Sequence, residues 1–145
     1  MKKKIYIVIT GGAGFVGSNL IEYLLENTNL KIISLDNYSS GSKKNHIISK
    51  RVKYFNGDCS KISFYLSSYK YKINSIFHFG EFSRIYQSFK HFDKCFESNS
   101  QGSQAVFKFC LDHNIKLIYS ATSAALGNKG DDRNLSPYAF TKFKN

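Results

Sequence analysis

A chain of 145 residues with 42% apolar side chains can build one domain with a real core, and its single proline excludes a Pro-rich linker. The net charge of +11 invites an anionic ligand, but the basic residues are scattered and no DNA- or RNA-reading motif accompanies them, so nucleic acid is not an expected partner. Cys59, Cys95 and Cys110 lack metal-ligand spacing and read as buried thiols of a reducing, cytoplasmic compartment, and the N-terminal apolar run is too short for a signal segment or a membrane span.

The run Ile5-Tyr6-Ile7-Val8-Ile9 is apolar on both faces, as a buried parallel strand must be. It leads into Thr10-Gly11-Gly12-Ala13-Gly14-Phe15-Val16-Gly17. Glycines at 11, 14 and 17 permit a tight turn and a close backbone approach to a diphosphate. The helix opened by this loop offers free N–H groups and a positive dipole end to the same anion. That helix is predicted from about Ala13 to Asn27, with Val16, Leu20, Leu24 and Leu25 on one face. Residues 31–35 predict a second strand ending at Asp36, and residues 37–45 read as a polar loop. Residues 52–55 predict a third strand that ends at Asn56-Gly57-Asp58. A helix around 60–70 follows, with Ile62, Tyr65, Leu66 and Tyr69 inward. Residues 73–79 predict the fourth strand and residues 91–113 a long helix with Phe92, Phe96, Val106 and Cys110 near one face. Residues 117–119 predict a fifth strand, and Ser136-Pro137 the N-cap and first residue of a last helix.

Strands alternating with helices predict an α/β fold of Rossmann type: a doubly wound parallel sheet with helices on both faces. Such sheets bind ligands at the carboxyl ends of their strands. The polar residues of interest fall there, at 10–17, 36–41, 57–59, 78–84 and 120–123. Asp36 lies 19 residues after Gly17. A carboxylate there accepts hydrogen bonds from both ribose hydroxyls of an adenosine and repels a 2′-phosphate, favouring NAD over NADP; the alternative is a helix- or turn-capping aspartate. Asp58 suits an adenine amino group or, equally, a turn after Gly57. Tyr138 and Lys142 stand four residues apart, on one helix face, and a lysine cation beside a phenol favours the phenolate that acts as a base. Taken alone, that pair is also an ordinary solvated helix face. Thr122, just after the fifth strand, can offer a hydroxyl to the same substrate oxygen.

Together these residues resemble the extended short-chain dehydrogenase/reductase family, in particular its NAD-dependent nucleotide-sugar epimerases and dehydratases. The resemblance runs through the whole chain in order: the loop 10–17, Asp36-Asn37, Gly57-Asp58, His78-Phe79-Gly80-Glu81, Asn99-Ser100-Gln101-Gly102-Ser103, Ser120-Ala121-Thr122, and Tyr138 with Lys142. It implies NAD as cofactor. Phe15 and Val16 would lie against the pyrophosphate, Asp36 and Asn37 near the adenosine ribose, and Asp58 and the Cys59 N–H at the adenine. Phe79 and Gly80 would line the cofactor, and Asn99 would be a structural or cofactor-proximal polar residue. Tyr138 would be the base, Lys142 would hold the nicotinamide ribose and Thr122 would share the substrate hydroxyl.

Two departures stand out. Glu81 replaces the second alanine of the family's usual His-x-Ala-Ala, and the loop from Thr122 to Tyr138 is short. After the active-site threonine, 4,6-dehydratases carry Asp-Glu and sugar-acid decarboxylases keep a Glu two positions on; here Ser123 and Ala124 follow. The resemblance therefore implies C4 epimerisation of a UDP-linked hexose through a 4-keto sugar, ahead of 4,6-dehydration or another NAD-dependent sugar-nucleotide oxidoreduction, with a non-catalytic NAD-binding module as the other reading. Relatives continue into a C-terminal lobe that grips the sugar nucleotide. The expectation is that this chain is the N-terminal part of such a protein, inactive alone, whose full-length form is a homodimer.

Overall fold

The computed structural model describes residues 4–126 and 134–145. Five parallel strands form one sheet: β1 (Tyr6–Thr10), β2 (Lys31–Asp36), β3 (Val52–Asn56), β4 (Ile73–His78) and β5 (Lys116–Tyr119), in the order β3-β2-β1-β4-β5. The chain winds outward through β2 and β3, then crosses back to add β4 and β5 on the other side of β1. In register, Val8 sits between Ile33 of β2 and Ile76 of β4. The winding reverses between β1 and β4, so a crevice opens beyond their carboxyl ends, at Thr10 and His78.

Alternation along β1 divides the core. Ile7 and Ile9 pack on one face with Ile32, Ile21 and Leu24. Val8 packs on the other with Ile33, Leu35, Ile76, Ile62, Leu66, Val106 and Phe109. The helices behind these side chains are α1 (Phe15–Asn27) on the first face, and α2 (Ile62–Leu66) and α5 (Ser103–Asp112) on the second. The doubly wound sheet expected from the sequence is therefore present. Among the described residues, no helix is long and apolar enough to cross a membrane.

Three elements differ from expectation. α1 buries Gly17, Ile21 and Leu24, whereas Val16 is 58% exposed. Gly17 sets the helix phase, because it is the residue pressed against the loop before it, and Val16 is turned outward. The helix expected at 60–70 is broken into a 3-10 turn at Cys59–Lys61, α2, and a second 3-10 turn at Lys70–Lys72. Ile62 and Leu66 are fully buried as expected, with Tyr65 and Tyr69 packed at the edge of the core.

The long helix expected over 91–113 is instead α4 (Phe92–Phe96), a π-helical stretch at Glu97–Gly102, and α5. An unforeseen helix, α3 (Ile85–Lys90), precedes it, and His91 breaks the run at φ −123°, ψ 50°. Phe92 is half exposed, while Val106 and Cys110 are buried as expected. α6 (Pro137–Lys144) begins as the sequence predicts, with Ser136 Oγ accepting from the Ala139 N–H at 3.0 Å and proline in the first turn.

Candidate active site

The glycine loop closes on itself. Gly11 adopts φ +72°, and its N–H donates to the Leu35 carbonyl at 2.9 Å, tying the loop to the end of β2. The Gly14 N–H donates back to Gly11 O at 3.1 Å. A Cβ on Gly17 would lie 2.3 Å from Gly11 O and 2.6 Å from Gly12 Cα, so only glycine lets α1 start this close to the strand. No side chain caps α1, and the first-turn N–H groups at Phe15, Val16 and Gly17 have no intrahelical acceptor. They point the positive end of a 13-residue helix at the crevice. Phe15 and Val16 are both exposed and line it.

The crevice is a cleft of about 360 Å³. Gly11, Gly14 and Gly17 form one wall with Phe15 and Val16; Asp36 and Asn37 stand at the end of β2; Gly57 and Cys59 follow β3. Phe79, Gly80 and Glu81 follow β4, and Arg84, Ser98 and Ser120 complete the lining with Ser39, Ser40, Ser83 and Leu35.

Asp36 is buried, its Oδ2 accepting from the Ala13 N–H at 2.9 Å and its Oδ1 from the Tyr38 N–H at 2.8 Å. A carboxylate has roughly four acceptor sites, so each oxygen retains one for a ligand. Asn37 donates from Nδ2 to Asp58 Oδ2 at 2.9 Å, while Asp58 Oδ1 takes the Ser60 N–H at 2.9 Å. Burial raises the Asp58 pKa, but the Ser60 and Asn37 hydrogen bonds and the Lys61 charge outweigh it and leave the carboxyl below its ordinary value. Asp58 caps the turn that begins at Cys59 and does not itself line the cleft. The Cys59 thiol is pushed up to about 12 by burial and then by Asp58, so it stays protonated, 3.5 Å from the Gly80 carbonyl.

Behind the β4 side of the cleft lies a run of buried hydrogen bonds whose direction is fixed. Ser103 Oγ donates to Glu81 Oε1 at 2.6 Å, so it accepts from His78 Nε2–H at 3.0 Å. His78 Nδ1 then accepts from the Thr10 hydroxyl at 2.6 Å. Thr10 Oγ1 in turn accepts from the N–H groups of Phe79 at 3.1 Å and Gly80 at 3.0 Å. Burial, and then the Lys142 charge, push His78 down to about 4, so it stays neutral in this run.

Glu81 Oε2 forms an ion pair with Lys142 Nζ, which also donates to the Ser120 carbonyl. The Tyr119 ring lies 4.2 Å from the ammonium. Burial, and then the Glu81 carboxylate, push the Tyr119 phenol up, and it donates to Glu81 Oε1 at 3.1 Å. This partnership answers the question Glu81 raised in the sequence. His78, Ser103 and Tyr119 had no role assigned from sequence; the carboxylate at 81 was the one signal that a buried cation had to be nearby.

The structure brings Lys142 directly behind Glu81 and Ser120, both of which line the cleft. Tyr138 precedes it by one turn of α6, half-buried, its N–H donating to Ser88 Oγ at 3.2 Å. Thr122 Oγ1 caps the 3-10 turn Ser123–Ala125 by accepting from the Ala124 N–H at 3.2 Å, and its own hydroxyl hydrogen has no acceptor among the described residues. Residues 127–133 of the loop between Thr122 and Tyr138 lie outside the described residues.

Asn99 is wholly buried and does not line the cleft. Its Oδ1 accepts from the Phe82 N–H at 2.6 Å, and its Nδ2 donates to Phe82 O at 3.0 Å and to Thr141 Oγ1 at 3.1 Å. Of its two expected places, the structure gives it the structural one: it ties the segment after Glu81 to α6.

A cleft at the reversal point of a parallel sheet, floored by a glycine loop and walled by a carboxylate at the end of β2, defines a dinucleotide-binding α/β domain. The model of the NAD dependent epimerase/dehydratase family matches residues 7–144, and the chain belongs to that family. An ADP-L-glycero-D-manno-heptose-6-epimerase of Brachyspira hyodysenteriae is 31% identical over 150 aligned positions, covering 94% of this chain and 46% of the relative. Among solved structures, a UDP-glucose 4-epimerase of Thermotoga maritima with UDP-glucose superposes with TM-score 0.83 at 24% identity, over 96% of this chain and 48% of that one. A Thermus thermophilus UDP-glucose 4-epimerase in complex with NAD gives 0.81 at 25% identity, over 96% and 48%. The chain thus spans about half the length of the relatives it matches.

Proposed function

We propose that this chain supplies the NAD-binding half of a nucleotide-sugar epimerase that inverts C4 of a UDP-linked hexose through a transient 4-keto sugar. The observation that carries the reading is the position of Lys142, behind two cleft-lining residues and one helical turn from Tyr138. NAD is the cofactor that the family's description names, and the residues fit it. The free N–H groups at the start of α1 suit a pyrophosphate, and the spare acceptor sites of Asp36 suit a ribose.

When bound, NAD supplies reversible acceptance of a hydride. Tyr138 takes the proton from the sugar hydroxyl and returns it when the keto group is reduced from the other face. Thr122 donates its free hydroxyl hydrogen to the same oxygen. Lys142 stands one helical turn from Tyr138 and would hold the nicotinamide ribose.

Epimerisation is favoured over 4,6-dehydration by what surrounds the site. Eliminating hydroxide needs a free carboxyl acid. Ser123 and Ala124 provide none; of the two described carboxylates that line the cleft, Asp36 holds the Ala13 and Tyr38 N–H groups at the end of β2 and Glu81 is committed to Lys142. The test is incubation of this chain joined to a C-terminal lobe of the family with UDP-hexoses, followed by nuclear magnetic resonance of the sugar. Inversion at C4, abolished by Tyr138→Phe, is the expected result; a 4-keto-6-deoxy product would establish dehydration instead.

A further inference from the structure

Glu81 reaches the cleft, yet its side chain is only 5% exposed, and that of its partner Lys142 only 3%. Four donors already meet its carboxylate. Oε2 holds Lys142, and Oε1 receives Ser103 Oγ at 2.6 Å, Tyr119 Oη at 3.1 Å and Asn145 Nδ2 at 3.3 Å. What Glu81 does is fix an ammonium.

We propose that Glu81 is a positioning residue for the dinucleotide: it fixes the Lys142 ammonium immediately behind the cleft wall before any cofactor arrives. The inference rests on the dinucleotide reading of the cleft. A lysine side chain has large rotamer freedom, and a free one would lose it on contacting a ribose. Here that freedom is removed on folding. Of the three ammonium donors, one goes to Glu81 and one to the Ser120 carbonyl, and the third has no hydrogen-bond acceptor among the described residues.

The anchorage extends to the cleft floor. The Ser103 hydroxyl that orients Glu81 is itself set by neutral His78, and His78 by Thr10, whose oxygen holds the Phe79 and Gly80 N–H groups. One unbroken series of hydrogen bonds therefore joins the Phe79–Gly80 backbone that lines the cleft to the Lys142 cation behind its wall. Loss of the carboxylate leaves Lys142 buried without a counter-charge, and the cation must leave its position.

Binding of NADH and of ADP, measured by calorimetry on the wild type and on Glu81→Gln, Lys142→Ala and the double variant, tests this. ADP probes only the glycine loop and Asp36, so it reports the integrity of the fold and the near half of the cleft. Glu81→Gln is expected to weaken NADH about 10-fold while ADP affinity stays within about twofold. Lys142→Ala is expected to do the same, and the double variant to lose no more than either single one. Equal weakening of NADH and ADP by Glu81→Gln would make the residue merely structural, and unchanged NADH affinity or additive losses would separate it from Lys142; each overturns the proposal. A wild type that binds neither ligand would instead overturn the reading of the cleft, and the inference with it.

Discussion

The Ala13 N–H donates to Asp36 Oδ2 at 2.9 Å, so the carboxylate at the end of β2 is a strut of the glycine loop as well as a wall of the cleft. The other oxygen holds the Tyr38 N–H at 2.8 Å, in a residue at φ +56°. Replacing Asp36 by alanine strands two backbone donors at once. The expected cost is about 2–3 kcal/mol of stability, read as a lowered urea midpoint, with Asp36→Asn losing less because its one carbonyl oxygen can keep one partner.

Gly17→Ala places a methyl group 2.3 Å from Gly11 O, against backbone that cannot yield without reshaping the loop. Thermal unfolding should show a loss of roughly 1–3 kcal/mol. Affinity for ADP should fall with it, because the same displacement moves the first-turn N–H groups of α1.

His78 makes stability depend on pH. Its folded value of about 4 lies below the ordinary 6.5 because burial, then Lys142, disfavours the cation. Between those values the unfolded chain binds a proton that the folded chain refuses. The benefit of the neutral ring is complete above pH 6.5 and is lost as pH falls toward 4, amounting to about 3 kcal/mol. Melting temperatures from pH 7 to pH 4.5 should fall more steeply in the wild type than in His78→Gln.

Ser34 Oγ is buried at the junction of β2 and Gly12, and it has no hydrogen-bond partner among the described residues. A hydroxyl in that state destabilises. Ser34→Ala is expected to raise stability by about 1 kcal/mol, close to 3 °C in melting temperature. A drop instead would show that the hydroxyl contributes through a contact.

The five strands were legible because each is a short apolar run with no helical period, and the loop 10–17 because its glycines answer to local sterics. Asp36 was legible from its distance to that loop. The π-helical stretch was not, since nothing in Glu97–Gly102 breaks a helix locally; the observed form turns Asn99 onto Phe82 and Thr141, partners 17 and 42 residues away. α3 was missed for want of a clear apolar stripe: Ile85, Tyr86 and Phe89 are all exposed. Glu81 was visible as an anomaly, but its meaning needed Lys142, 61 residues on.

The central claim is that the cleft between β1 and β4 holds NAD, with Asp36 at the adenosine ribose. Fluorescence titration with NADH and NADPH, on the wild type and on Asp36→Ala, tests it most directly. The expected result is NADH binding at least about 10-fold tighter than NADPH in the wild type, with the preference erased in the variant. NADPH bound as tightly as NADH by the wild type, or no binding of either, would contradict it.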